Sequence, residues 1–275
     1  MNKRPLLTLG YSPCPNDTYI FNALVNGQVD LAEAHLAPPA LEDVETLNAW
    51  AMEAKLDITK VSFHAYGHLR QHYQLLPSGA ALGRGCGPLF ITSQHAKPAD
   101  PARWRIAIPG RYTTAALLLQ LYRPGSATVI MRFDQIMDAL AAGEVDAGVI
   151  IHESRFTYRE RGLSCIQDLG EWWEQATGLP IPLGCIVMRK NLGEELHQAI
   201  GSAIKRSIVW ADQHPQEGLD YIRQHAQEID AGVMRSHIAL YVNDFSKNIG
   251  SEGMAAIDEL LRRGEAAGLF AAQPD

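Results

Sequence analysis

Apolar residues in the first 151 positions fall into short continuous runs, separated by stretches in which they recur every three or four residues; that alternation marks strand–helix units. Leu6–Gly10 reads as a strand and Asp17–Asn26 as a helix. Val44–Ala54 reads as a second helix, Asp57–Ser62 as a second strand, and Ala65–Leu76 as a further helical stretch. The pattern then returns, with strands at Arg105–Ile108 and Asp146–Ile151 and helices at Thr114–Tyr122 and Asp134–Ala142. Leu47 stands ten residues before Asp57 and Ile136 ten before Asp146, so one helix–turn–strand unit is used twice. Each copy ends its strand in a polar cluster, Ser62-Phe63-His64 and His152-Glu153-Ser154. Open α/β sheets bind ligands beyond their strand carboxyl ends, so two such lobes face to face predict one shared cleft.

Leu82–Ile91 is a glycine-rich entry to a strand, and Gly184–Met188 is a later apolar strand; both read as crossings between lobes. Glycine there serves equally as a hinge or as a bulge. The Gly83–Gly87 pattern precedes a strand, whereas a dinucleotide fingerprint follows one and opens a helix. Helices are predicted at Glu194–Ala211, Gln216–His225 and Gly253–Ala267, the last packing on the first lobe. The expected division is residues 1–90 with 190–275 as a discontinuous first lobe and 91–189 as the second.

At 275 residues the chain can bury two such lobes, and 47% hydrophobic with 20% charged residues is a globular composition. A net charge of −7 without a long basic run argues against nucleic acid as partner. No apolar run approaches the roughly 18 residues of a membrane span. Met1-Asn2-Lys3-Arg4-Pro5 leaves no room for a signal peptide before the first strand, which gives a cytoplasmic expectation. Cys14, Cys86, Cys165 and Cys185 have no close pairing and read as reduced, mostly buried thiols. No heptad or apolar patch marks an association surface, so a homodimer stands as an expectation without a sequence signature.

Candidate chemistry begins at Tyr11–Tyr19, where a strand turns into a helix through Ser12-Pro13-Cys14-Pro15-Asn16-Asp17-Thr18. Asn16 or Asp17 is placed to cap that helix, whose N-terminus offers donors to a carboxylate or phosphate; an ordinary capped turn has the same sequence signature. Gly110-Arg111-Tyr112-Thr113-Thr114-Ala115 mirrors it in the second lobe, with Thr113 as N-cap and N–H groups near Thr114 and Ala115 as a carboxylate cradle. Lys60 and Ser62 close the facing strand as cation and hydroxyl, although Lys60 also reads as a plain surface charge. His152, after Val149-Ile150-Ile151, is placed for a general base, and His64 holds nearly the equivalent place in the first lobe; the residue pattern alone does not choose between them. His64, His68 and His72 recur at spacing four, but without an acidic or Cys ligand they read as a solvated helix face, and no metal is expected. Neither a zinc motif at His152 nor a serine-hydrolase elbow is present.

These residues together resemble a known family. Ser12–Thr18, Lys60-Val61-Ser62, Gly110–Ala115, Gly148–Glu153 and Tyr241-Val242-Asn243 are similar, in order and over nearly the whole chain, to 1,4-dihydroxy-6-naphthoate synthases of menaquinone biosynthesis. The resemblance implies a two-lobed, periplasmic-binding-protein-like (type II) α/β fold. It also implies a cofactor-independent carbon–carbon lyase that converts cyclic dehypoxanthine futalosine to 1,4-dihydroxy-6-naphthoate and dihydroxyacetone. By the same carry-over His152 is the proton acceptor, in preference to His64, and Lys60, Val61 and Ser62 with Thr114 and Ala115 bind a small carboxylate substrate. Two rival expectations share the fold: a non-catalytic solute-binding protein, and chorismate dehydratase, whose family lacks the Ser12–Thr18 turn.

Overall fold

The computed structural model describes residues 4–93, 100–225 and 230–270. The chain opens with β1 (Leu6–Leu7) and β2 (Leu9–Tyr11), then α1 (Pro15–Val25), β3 (His35–Leu36), β4 (Ala40–Leu41) and α2 (Val44–Met52). After β5 (Ile58–Ser62) and α3 (Phe63–Leu69) come β6 (Tyr73–Leu75) and β7 (Ala81–Gly83). The next stretch carries β8 (Leu89–Ser93), β9 (Arg105–Ile108), α4 (Thr114–Tyr122), β10 (Ala127–Ile130), α5 (Ile136–Ala141) and β11 (Ala147–Ile150). It closes with α6 (Ser154–Thr157), β12 (Leu163–Asp168) and α7 (Leu169–Thr177). The long strand β13 (Ile181–Arg189) leads into α8 (Glu194–Gln213), α9 (Leu219–His225), α10 (Ala231–Tyr241), α11 (Asp244–Lys247) and α12 (Gly250–Ala266).

Two open sheets result. One has the strand order β4-β2-β5-β13-β6 with β7 also on β13, and the other the order β10-β9-β11-β8-β12; β1 and β3 form a separate parallel pair. In each sheet the strand–helix units pair in parallel, β2 with β4 and β5, β9 with β10 and β11, while the crossing strands β13 and β8 run antiparallel to them. The second sheet therefore spans Leu89–Asp168, and β13 belongs to the first. The expected second span of 91–189 differs from this sheet membership, because β13, apolar from Ile181 to Met188, is a central strand whose two edges are taken up by β5 and by β6 and β7. Gly184–Met188, read as a crossing between lobes, is the central part of β13 in the first sheet.

The helical stretch expected over Ala65–Leu76 ends at Leu69 instead. Tyr73–Leu75 pairs with Val187–Arg189, and the buried Tyr73 hydroxyl donates to the Leu56 carbonyl at 2.6 Å, so tertiary pairing overrides the local helical spacing. Helix α12 packs on α3 and β13, as expected of the C-terminal helix. Helix α8 buries Ile200, Ile204 and Ile208 at one-turn spacing against α1, each contributing about 1.5–3 kcal/mol of apolar transfer. A second core cluster, including Val61, Leu82, Ile106, Leu117, Trp173 and Leu260, joins residues of both sheets and so braces the two halves. Among the described residues no helix is long and apolar enough to cross a membrane.

Candidate active site

A cavity of about 90 Å³ lies where the two sheets face each other, room for several water molecules and hence for part of a small organic ligand. Ser12, Asn16, Asp17, Lys60 and Ser62 line it from the first sheet's side. Thr113, Thr114, Ala115, Ile151 and His152 line it from the second, and α10 adds His237 and Tyr241. The carboxyl ends of β2, β5 and β11 deliver most of these side chains, as the repeated pattern requires.

Asp17 and Lys60 form the cavity's ionic floor. Lys60 Nζ stands 2.6 Å from Asp17 Oδ1 with both side chains at most 5% exposed, and Asp17 Oδ2 accepts from Ser12 Oγ at 2.7 Å. Asn16 Nδ2 also donates to Asp17 Oδ1 at 2.8 Å. Two expectations change here. Lys60 is buried rather than a surface charge, and Asn16 and Asp17 stand within the first turn of α1, not at its cap. The N-cap is Cys14, without a side-chain bond to the helix, because Pro15 fills the first helical position and Asp17 is drawn back onto Ser12 and Lys60.

Strand periodicity sorts the next segment. Lys60 and Ser62 face the cavity, whereas Val61 points to the opposite face and is fully buried in the core; its side chain is outside the expected binding surface. Asn48 fixes Ser62 from two directions, accepting from its N–H at 2.9 Å and donating to its Oγ at 3.1 Å. Across the cleft Thr113 is the N-cap of α4, its Oγ1 accepting from Ala116 N–H at 3.2 Å. The early N–H groups of α4 have no carbonyl one turn back, which makes Thr114 and Ala115 an anion-accepting edge. Glu45 of α2 accepts from Tyr112 N–H at 3.1 and 3.2 Å, tying the loop before α4 to the other half, and its burial raises its pKa.

His152 has a left-handed backbone, φ 58°, an unusual and costly conformation for a residue with a Cβ. It is partly exposed, lines the cavity, and its Nδ1 lies 3.7 Å from Cys14 Sγ. Its ring meets Phe133 edge-on at 5.1 Å and is parallel to His237 at 6.1 Å. Burial lowers its pKa and outweighs the opposing pull of Glu153 and Asp17, leaving a neutral imidazole at pH 7. Cys14, its thiol pushed well up by burial, is a neutral partner and not a thiolate.

His64 is placed differently. It is not part of the cavity lining; its buried ring packs beside Phe270, Nδ1 lies 3.2 Å from the Thr113 carbonyl, and burial lowers its pKa to about 4. The solvated face expected for His64, His68 and His72 is therefore corrected: His64 is buried, His68 exposed, and His72 lies beyond the end of α3. Asn48, Glu45 and His237 bear on the site but fall in none of the candidate motifs. For His237 the available signal was the three-and-four spacing of Met234, His237 and Tyr241, the buried stripe of α10.

The model of the family described as "Menaquinone biosynthesis" matches residues 7–266. The chain belongs to this family. It is 50% identical over 268 residues to a 1,4-dihydroxy-6-naphthoate synthase of Thermus thermophilus, covering 98% of this chain and 97% of that protein. A Streptomyces coelicolor protein of the same name is 43% identical over 276 residues, covering 97% and 95%. A Candida albicans protein described as having the generic periplasmic binding protein structural fold superposes with a TM-score of 0.67 at 14% identity, covering 98% of this chain and 92% of that one. The fold is periplasmic-binding-protein-like, and the family is one of enzymes.

Proposed function

We propose that this family member is a cytoplasmic carbon–carbon lyase that converts cyclic dehypoxanthine futalosine to 1,4-dihydroxy-6-naphthoate and dihydroxyacetone, with His152 as general base. The observation that carries this reading is the His152 ring, held between Cys14 and Phe133 at the wall of a cavity that the N-terminus of α4 also lines. Nδ1 faces Cys14 Sγ at 3.7 Å; in the tautomer that carries the ring proton there, the Nε2 lone pair is left for the substrate. It takes the proton of a sugar-derived hydroxyl; the O–H electron pair becomes a C=O bond as the adjacent C–C bond breaks. The released pair enters the fused ring, which becomes aromatic, and aromatisation drives the step.

Thr114 and Ala115 hold the carboxylate by charge-assisted N–H donation, and Ser62, oriented by Asn48, holds a second polar group. The contacts across the cleft exclude water around the reacting centre and fix its geometry. Purified protein incubated with cyclic dehypoxanthine futalosine should yield the naphthoate by liquid chromatography and mass spectrometry. His152→Asn should lose turnover by a factor of about 100 or more while binding substrate within a few-fold of the parent. Unchanged turnover in that variant removes His152 from the base role.

The likeness to binding proteins supports a second reading, a non-catalytic carboxylate binder. Substrate bound and returned unchanged by the parent protein selects it.

A further inference from the structure

The steps above make no use of His237, although it lines the cavity and is only 1% exposed. Its protonation pattern is fixed by a chain of donors and acceptors. Asp17, anchored by Lys60 and Ser12, can only accept, so the Asn16 group 2.8 Å from it is the amide nitrogen. Asn16 Oδ1 is thereby turned to His237 Nε2 at 2.9 Å, and a carbonyl oxygen also only accepts. Nε2 therefore carries the proton. A second ring proton would make the imidazole a cation, and burial beside His152 and Lys60 pushes His237 down to about 3. What remains is a bare lone pair on Nδ1, which is buried and has no hydrogen-bond partner among the described residues.

An unfilled buried acceptor is costly, and one on a side chain that lines a ligand cavity is accounted for when the ligand supplies the donor. We propose that His237 Nδ1 accepts a hydrogen bond from a hydroxyl of the bound molecule, so that the hydroxyl-bearing end of the substrate lies against His237 and its carboxylate lies at the N-terminus of α4. A lone pair repels a carboxylate and attracts a neutral O–H, and the Lys60 charge is already committed to Asp17. The two ends of the cavity thus differ in kind: α4 offers donors, His237 an acceptor. The parallel His152 ring, 6.1 Å away, stands beside the same end, where a sugar-derived hydroxyl is within reach of the proposed base.

The ligand's identity in this inference rests on the proposed lyase reading, so the test separates the two. Calorimetric titration compares His152→Asn, which holds substrate without cleaving it, with the double variant His152→Asn/His237→Phe, using cyclic dehypoxanthine futalosine and the hydroxyl-free carboxylate 2-naphthoate. The double variant should bind the first about ten- to a hundredfold more weakly and the second within twofold of His152→Asn. Equal weakening for both ligands, or none for the first, overturns the proposal. Histidine-selective nitrogen-15 NMR on the ligand-free parent protein requires no substrate and no variant: His237 should show the Nε2–H tautomer with an unprotonated Nδ1. An Nδ1–H tautomer overturns the proposal even where the variant is too unstable to titrate. A parent protein that binds the futalosine derivative without cleaving it removes the lyase reading and leaves this one intact.

Discussion

Removing the charge of Lys60 should cost stability through its partner, because Lys60→Met leaves the Asp17 carboxylate in place with its counter-ion gone. Both side chains are at most 5% exposed, so water cannot replace the ammonium. Breaking one side of such a pair typically costs about 3–5 kcal/mol. Donation from Ser12 Oγ at 2.7 Å and Asn16 Nδ2 at 2.8 Å remains, which places the expected loss toward the lower end, ~3 kcal/mol. For a chain of this size each kcal/mol moves the midpoint by about 2–4 °C, so a fall of roughly 6–12 °C is expected. Urea titration with linear extrapolation, alongside a thermal scan, measures it. The double variant Lys60→Met/Asp17→Asn removes both charges yet keeps an acceptor for Ser12, and should recover about 2 kcal/mol of the loss. A single variant losing under about 1 kcal/mol, or a double variant no more stable than the single, would refute the reasoning that an orphaned buried charge is the cause.

Other consequences follow from the same geometry. Burial holds His64 at about 4 against an ordinary 6.5, so the unfolded chain takes up the proton first: this contribution to stability is intact above pH 6.5 and is lost as pH falls toward 4. His64→Phe should therefore lose ~2 kcal/mol less than the parent between pH 7 and 4.5 in urea titrations, and parallel losses would discount His64 as the source. Because desolvation lowers the His152 pKa, the acid limb of kcat/KM should fall below pH 6.5, and a limb above 6.5 would contradict a neutral base. A Cβ at Gly110 would overlap the Glu45 carboxyl that receives Tyr112 N–H. Gly110→Ala is expected to destabilise by about 1–3 kcal/mol and to raise KM; unaltered values on both counts would show that this tie across the cleft carries no weight.

Local chemistry made part of this legible without coordinates. Arg105–Ile108 and Thr114–Tyr122 occur with the bounds read from the sequence, because strand alternation, helical spacing and the Thr113 cap are all properties of neighbouring residues. The repeated strand ends likewise indicated where polar side chains would gather, and Lys60, Ser62, Thr114, Ala115, Asn16, Asp17 and His152 do line one cavity. Less was available where partners are remote. Residues Tyr73–Leu75 carry a helical spacing that is overridden by pairing with β13, more than a hundred positions away.

Strand–helix alternation, the helix start at Thr113 and the polar strand ends follow from neighbouring residues alone, since each depends on contacts within a few positions. Packing of remote segments is what buries Lys60 against Asp17, turns Val61 to the core while its neighbours face the cavity, and gives His64 and His152 unlike surroundings. It alone brought His237 to Asn16 across 221 positions and Cys14 to His152 across 138. Burial and hydrogen-bond partnership set what an ionisable side chain can do, and both are properties of the packed whole, to which residues far apart in the chain contribute equally.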